Sequence, residues 1–286
     1  MSKALRDDLL NRRFIFRCAT TLFAWIGVVS AAGQVLDWAF HFSKHGWWSP
    51  VVITIAGLGL PVAIWYAWPR PIEETYDTPA TRIRVVKGDI LDFGTEHIVI
   101  PTCDTFDTLP PNIIAPTSLQ AQALSRIYDH DVARLDADLD AALAATVPVG
   151  TITKVGKTSR YELGTVATIS HPNRKLYFLA ITTMDANNNV QGTPDGLWIS
   201  LNRLWEEIGR SSNGRTVCMP VIGGGMSRMS SIVPTQDSLR FTVLSFMFAS
   251  RRQRVCEELR IVVRPADYEK LDRLELQAFL TSLKPS

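Results

Sequence analysis

Two long apolar segments lie near the start of the chain. Cys18–Leu36 carries no charged side chain, and Trp38–Phe40 extends this run beyond Asp37. After a short polar turn, Trp47–Trp68 forms a second uncharged run. Each run has about the 20 residues that a helix needs to cross the hydrocarbon core of a bilayer. Neither has the polar face of a surface helix, so the pattern predicts two transmembrane helices over residues 18–40 and 47–68.

Basic and aromatic residues set the predicted orientation of this hairpin. Arginine and lysine are frequent before residue 18 and after residue 68, whereas the turn between the runs contains only Lys44. The positive-inside rule therefore places both ends of the chain in the cytoplasm, and tryptophans at the run ends are typical of the lipid interface. A cleaved signal peptide is the alternative, but this apolar run is longer than a signal core and a second run follows it.

Small residues recur at a spacing of four in both runs. Gly27 and Ala31 form one pair, and Gly59 and Ala63 form the other. Such pairs let helices approach closely, so they could support contacts between copies of the chain. Pro61 is expected to bend the second helix.

The segment after the second run differs in composition. Pro69–Thr81 contains three prolines and three acidic residues without periodicity, which predicts a short, stiff linker. We therefore expect a basic N-terminus at 1–17, the hairpin at 18–68, the linker at 69–81 and a separate domain at 82–286.

From residue 82 onward, strand patterns alternate with helix patterns. Apolar runs predict strands, and apolar stripes with helical spacing predict helices. The predicted strands are 82–86, 96–101, 164–170, 175–182, 216–222 and 260–263, and the predicted helices are 118–145, 194–209, 235–251 and one from residue 266. This alternation indicates an α/β fold with a largely parallel sheet covered by helices on both faces. Such sheets bind ligands at the carboxyl ends of their strands.

Three loops at those carboxyl ends carry candidate chemistry. Lys87–Ile90 (KGDI) places a carboxylate after a tight turn, where it could accept a hydrogen bond from an exocyclic amine. Cys103–Thr108 combines small polar residues with one aromatic ring. Pro220–Arg228 (PVIGGGMSR) has consecutive glycines whose N–H groups could converge on a pyrophosphate, although it matches neither a Walker loop nor GxGxxG. A solvated turn aspartate and a structural glycine turn are the alternatives.

Composition narrows the possible functions. The formal net charge of +2 gives no argument for nucleic acid as a partner. The cysteines form no CxxC pair and the histidines have no metal-ligand spacing, so neither a disulfide framework nor a metal site is expected. Cys103 has no base beside it in sequence, which favours a small buried residue over a nucleophile.

Taken together, the three loops resemble the ligand loops of macrodomains, which bind ADP-ribose and related nucleotides derived from NAD. Phe106–Thr108, Ile113–Ile114, Ser118–Leu119 and Leu204–Ile208 resemble more specifically the macro-like domain of Thoeris anti-phage effectors. In one type of Thoeris, two transmembrane helices precede that domain, so the resemblance covers essentially the whole chain. It implies an N-terminal transmembrane hairpin followed by a three-layer α/β/α macrodomain-like fold with a mixed, mostly parallel sheet.

The resemblance also implies roles for individual residues. Asp89 would contact the adenine amine, Ile90 would line the adenine pocket, and Tyr268 would pack on the adenine. The residues expected to wrap the diphosphate are Gly223, Gly224, Gly225, Met226 and Ser227, with Arg228 adding charge. The residues expected to face the distal ribose and its substituent are Asp104, Thr105, Phe106, Asp107 and Thr108.

One departure from the family pattern bears on catalysis. Hydrolytic macrodomains carry IVNAAN where this chain has IVIPTC, so Ile100 and Cys103 replace two asparagines. No asparagine would position a water there, and no catalytic residue is expected. The departure favours a sensor. The alternatives are a membrane-anchored ADP-ribosyl hydrolase and a structural adaptor with a degenerate macro fold.

The function implied is that of a membrane effector in anti-phage defence. A partner TIR-domain enzyme would use NAD to make the signal. This signal is an ADP-ribose joined to an amino acid, which is expected to be histidine. Apart from this signalling ligand no cofactor is expected. Binding would drive homo-oligomerisation, disruption of the bacterial inner membrane and abortive infection. The chain would be a multi-pass protein of that membrane, with both termini and the macro-like domain in the cytoplasm.

Overall fold

The chain divides into two compact units, residues 1–70 and 71–286. The structure, a computed structural model, describes residues 12–40, 48–67, 71–222 and 234–284. The predicted turn between the apolar runs and the predicted glycine loop therefore lie outside the described residues.

The first unit consists of helices that pack on one another. Helix α1 spans Arg12–Phe40, α2 spans Trp48–Gly57 and α3 spans Gly59–Ala67. The second apolar run is thus helical but interrupted at Leu58, one turn before Pro61. Proline has no N–H for the bond to the carbonyl four residues earlier, and the interruption lies in the turn that precedes it, whereas the bend expected at Pro61 stays a prediction.

Contacts inside this unit show that the helices run antiparallel. The Cys18 thiol lies 3.8 Å from the carbonyl oxygen of Ala63, and the Trp25 indole donates to the carbonyl of Ile55 at 3.0 Å. A side chain added at Gly59 would collide with the Trp25 ring. The small residue at 59 therefore serves close packing within the chain.

The apolar character of these helices is clear, but their lengths differ. Among the described residues, Cys18–Ala39 is the one stretch long and apolar enough to span a membrane, and Ile53–Trp65 is apolar but shorter. Phe23, Trp38 and Ile53 expose two thirds or more of their surfaces. These exposed apolar side chains are compatible with lipid around the helices.

A mixed eight-stranded sheet organises the second unit. Its strands are β1 Ile72–Asp77, β2 Ala80–Lys87, β3 His97–Cys103, β6 Val166–His171, β7 Arg174–Met184, β8 Val190–Gln191, β9 Val217–Pro220 and β10 Glu258–Val263. They are arranged in the order β1-β2-β10-β9-β3-β7-β6, with β8 paired to β7. A separate hairpin is formed by β4 Gly150–Thr151 and β5 Ser159–Arg160. The central strands β2, β10, β9, β3 and β7 are parallel, whereas β1, β6 and β8 are antiparallel to their neighbours.

Helices cover both faces of this sheet. The helices of the unit are α4 Leu119–Ile127, α5 Val132–Leu143, α6 Pro194–Ser211, α7 Thr235–Arg252, the short α8 Pro265–Tyr268 and α9 Arg273–Ser282. Alternate residues of each strand enter opposite cores: Val99 packs with α6 and α7, whereas Ile98 and Ile100 pack with α4 and α5. The predicted three-layer α/β/α fold with a mixed, mostly parallel sheet is confirmed.

Two predictions about elements were wrong. Residues 72–77, expected within an irregular linker, form the edge strand β1, because Ile72 and Tyr76 alternate with polar residues and are buried in the core. The single helix expected over 118–145 is two helices. Asp129 and His130 adopt left-handed φ values of 50° and 64°, which ends α4, and Asp131 caps the start of α5.

Candidate functional site

A cavity of about 660 Å³ lies at the carboxyl ends of the parallel strands. It begins beside Gly88 after β2, passes Val263 at the end of β10, and follows β9, β3 and β7. The segment between β3 and α4 contributes a further wall with Ile113 and Ser118. This is the edge of the sheet at which the sequence predicts a ligand site, and the volume lies within the range of about 300–1,000 Å³ typical of small-molecule sites.

At the β2 end, Asp89 and Ile90, two of the candidate ligand residues named from the sequence, line the cavity. Asp89 caps a one-turn 3-10 helix by accepting from the Leu91 N–H at 2.9 Å. Its other carboxylate oxygen is 2.6 Å from the Arg126 guanidinium, and its side chain remains 42% exposed. The pKa of Arg126 is raised above its ordinary value, most strongly by its hydrogen bond to Asp92 and also by its hydrogen bond to Asp89. A polar acceptor and the buried Ile90 side chain thus meet at one end of the cavity.

The loop after β3 is arranged differently from the prediction. The side chain of Asp104 is buried, forms an ion pair with Arg160 at 2.6 Å and accepts from the Met184 N–H at 2.8 Å. It is not part of the cavity lining, whereas Cys103 is. The carboxylate therefore joins the end of β3 to the end of β7 across a bulge at Thr102 and Cys103.

Asp107 is also enclosed by the protein. Its carboxylate is 2.6 Å from the ammonium of Lys154, and both side chains are almost completely buried. The same carboxylate accepts from the Lys157 N–H at 2.8 Å. These bonds hold the β4–β5 hairpin, whose Gly156 has a left-handed φ of 95° and packs against the cavity residue Ile113.

The remaining residues of this loop face inward too. Thr105 donates to the Asp107 carboxylate, and Thr108 donates to Asp136 at 2.7 Å. Phe106 is fully buried and meets the Tyr161 ring edge to face at 5.5 Å. The structure therefore does not bring Asp104–Thr108 to the main cavity, because each side chain has a partner inside the domain.

Two further predictions concern β9 and the segment after β10. Strand β9 leads to Val221 and Ile222, which line the cavity, but Gly223–Arg228 lie outside the described residues. Tyr268 is buried, packs in the α6–α7 core and lies under the Arg273 guanidinium at 4.8 Å. It does not line the cavity. The residues of this segment that do line it are Arg264, Pro265 and Asp267.

Sequence reasoning missed the far wall of the cavity. The turn between β7 and β8 contributes Asn188 and Asn189, and the start of α4 contributes Gln120. Gln120 is fixed in place, accepting from the Thr102 hydroxyl at 3.0 Å and donating to the Asp107 carbonyl at 2.6 Å. The run Asp185–Asn189 is rich in turn-forming asparagine, a signal that could have identified this hairpin.

The described lining contains few charged side chains. Its carboxylates are Asp89 and Asp267, and both are ion-paired to arginine, with Asp267 3.0 Å from Arg264. Across the ranges that the structure describes, no cluster of His, Cys, Asp and Glu could hold a metal ion. Apolar walls with a few fixed polar groups are typical of sites that bind small organic molecules.

A family model and a curated protein both match this chain. A family model described as the macro domain of the Thoeris protein ThsA matches residues 83–264. Thoeris protein ThsA of Bacillus amyloliquefaciens (strain Y2) is 24% identical over 211 residues, which are 72% of this chain and 70% of the relative.

Solved macrodomains have a looser likeness to the chain. A macrodomain mutant from Oceanobacillus iheyensis has a TM-score of 0.49 and 15% identity, over 75% of this chain and 99% of its own. The Trypanosoma brucei macrodomain in complex with ADP-ribose has a TM-score of 0.46 and 13% identity, over 70% and 73%. The family match covers more than half of the chain and contains the carboxyl end of every strand that lines the cavity. The chain belongs to the family of Thoeris ThsA macro domains.

Proposed function

We propose that the chain is a membrane-anchored sensor of a nucleotide derived from NAD, an ADP-ribose conjugate with histidine as the expected substituent. The observation that supports this most is the cavity of about 660 Å³ that is lined mostly by residues of the matched segment, with Asp89 and Ile90 at one end. Asp89 would accept from the adenine amine, and the glycine loop after Ile222 would wrap the diphosphate. In this proposal the ligand is a signal and is not consumed.

The signal requires a source, and its binding requires a consequence. We propose that a TIR-domain enzyme of the same defence system produces the nucleotide. The apolar first unit would anchor the chain in the bacterial inner membrane through both helices of the hairpin, with the macro domain in the cytoplasm. Ligand binding would favour association of macro domains, so that clustered hairpins disrupt the membrane and end the infection. A ligand can shift such an equilibrium only by its differential affinity for the two states.

Binding is tested with the full chain in lipid nanodiscs, using calorimetry with ADP-ribose and histidine-linked ADP-ribose. Gly224→Glu places bulk and negative charge where the diphosphate is expected, and should abolish binding of both. Gly94→Glu is the matched control, because Gly94 has open space around it and lies outside the cavity lining. Equal affinity in the wild type and in Gly224→Glu would contradict the assignment.

The membrane step is tested separately by two glycines of the hairpin. Gly59→Leu should disrupt the hairpin itself, because any side chain there meets Trp25. Gly27 has open space around it, so Gly27→Leu should leave the hairpin intact and reduce ligand-dependent crosslinking between copies. Both variants should retain nucleotide binding and lose toxicity. Toxicity that persists while crosslinking no longer responds to ligand would exclude clustering as the cause.

A further inference from the structure

The end of the cavity opposite Asp89 is formed by the hairpin between β7 and β8. Thr182, Met184 and Asn188 line this end. The cavity follows five adjacent strands, β2, β10, β9, β3 and β7, so its two ends are about 19 Å apart at about 4.8 Å per strand. A nucleotide whose adenine lies beside Asp89 would extend its last group toward the hairpin.

Asn188 provides an unused polar atom at this end. Its side-chain oxygen Oδ1 is buried, and among the described residues it has no hydrogen-bond partner. Buried acceptors almost always have a partner, since an unpaired one costs free energy. A ligand group that donates a hydrogen bond would recover this cost.

The turn that carries Asn188 is fixed by its own hydrogen bonds. The Asp185 carboxylate accepts from the N–H groups of Asn187 and Asn189, each at 2.8 Å. Asn188 itself has a left-handed φ of 60°, a conformation that asparagine tolerates better than most residues. The strand before the turn is held by Asp104 through the Met184 N–H. Little ordering would therefore be needed when a ligand arrives.

We propose that Asn188 determines specificity by accepting a hydrogen bond from the group attached to the distal ribose. The matching chemistry is an N–H donor beyond the hydroxyl groups of the ribose, as on the amine or imidazole of an amino-acid conjugate. ADP-ribose has only the hydroxyl groups of the distal ribose at this end and lacks the N–H donor that the attached amino acid adds. The inference rests on the proposed function, and it assigns the discrimination between signal and parent nucleotide to one side chain.

The test is calorimetry on the full chain in nanodiscs with ADP-ribose and histidine-linked ADP-ribose as separate probes. Asn188→Gly removes the acceptor while allowing the left-handed backbone, and Asn188→Asp keeps an oxygen acceptor. Asn187→Gly is the matched control, since Asn187 is exposed in the same turn and outside the cavity lining. Because both probes share the nucleotide, the ratio of their dissociation constants isolates the distal group.

The wild type should prefer the conjugate, and Asn188→Gly should weaken conjugate binding about tenfold, as expected for one lost hydrogen bond. Binding of ADP-ribose should change little, and Asn188→Asp and Asn187→Gly should retain the preference. The inference is overturned if the wild type shows no preference, or if Asn188→Gly weakens both probes equally or neither. Absence of binding by both probes to the wild type instead overturns the proposed function.

Discussion

Two loops at the carboxyl edge of the sheet carry aspartates in similar positions, yet the structure uses them differently. Asp89 after β2 remains 42% exposed and lines the cavity, whereas Asp107 after β3 is 1% exposed and pairs with a fully buried lysine. A carboxylate after a strand is therefore not by itself a ligand residue. The neighbours that decide its role, Arg126 in one case and Lys154 in the other, are distant in sequence.

The largest expected effect is on stability, at the buried pair. Asp107→Ala leaves the Lys154 ammonium buried without its counterion, which should lower the free energy of unfolding by about 3–5 kcal/mol. Urea unfolding of a 71–286 fragment measures this, since these residues form a compact unit. Asp140→Ala is the control, because its pair with Lys157 is long, at 3.4 Å, and the Asp140 side chain is 73% exposed, so the pair should contribute about 0–1 kcal/mol. Equal effects would show that Asp107 is not a structural anchor.

A smaller loss of stability is expected at Asp104. Asp104→Ala removes the acceptor of the buried Met184 N–H and the partner of Arg160. The cost should be about 1–3 kcal/mol, less than at Asp107 because Arg160 is one third exposed and can be solvated. The same unfolding measurement tests this, and a loss greater than that of Asp107→Ala would reverse the proposed order.

At Asp89 the effect should move from stability to binding. Asp89→Asn keeps the oxygen that caps the 3-10 helix but removes the negative charge. Unfolding should change by less than about 1 kcal/mol, since the ion pair with Arg126 is exposed. Affinity for ADP-ribose should fall by about 1–2 kcal/mol through the weakened hydrogen bond to the adenine amine. A loss of stability with unchanged affinity would show that Asp89 stabilises the fold, as Asp107 does, and does not bind the ligand.

Much of the fold could be predicted from sequence because its apolar patterns are local. The buried runs of β3 and β10 and the stripe of α6 agree with the structure to within a few residues. Strand β1 was missed because its alternation of Ile72 and Tyr76 lies among prolines and acidic residues. The break after α4 was missed because an apolar stripe continues across it, whereas two left-handed residues end α4 and Asp131 caps the start of α5.

The candidate site could be predicted only where the residues that form it are close to one another in sequence. Asp89 and Ile90 follow their strand directly and reach the cavity with it. The Asp107–Lys154 pair joins residues 47 positions apart, and the bond from Met184 to Asp104 spans 80. Nothing in the spacing of a single sequence indicates such pairs. The loop at 104–108 therefore resembled a ligand loop, although its charges are satisfied within the domain.

The central claim is that the cavity binds a nucleotide signal without consuming it. The most direct measurement combines calorimetry with chromatography on the full chain in nanodiscs, titrated with histidine-linked ADP-ribose. We expect saturable binding to the wild type and weaker binding to Asp89→Asn. The conjugate should be recovered intact after long incubation. Continuous release of free histidine in amounts exceeding the protein, or no binding heat at all, would contradict the account.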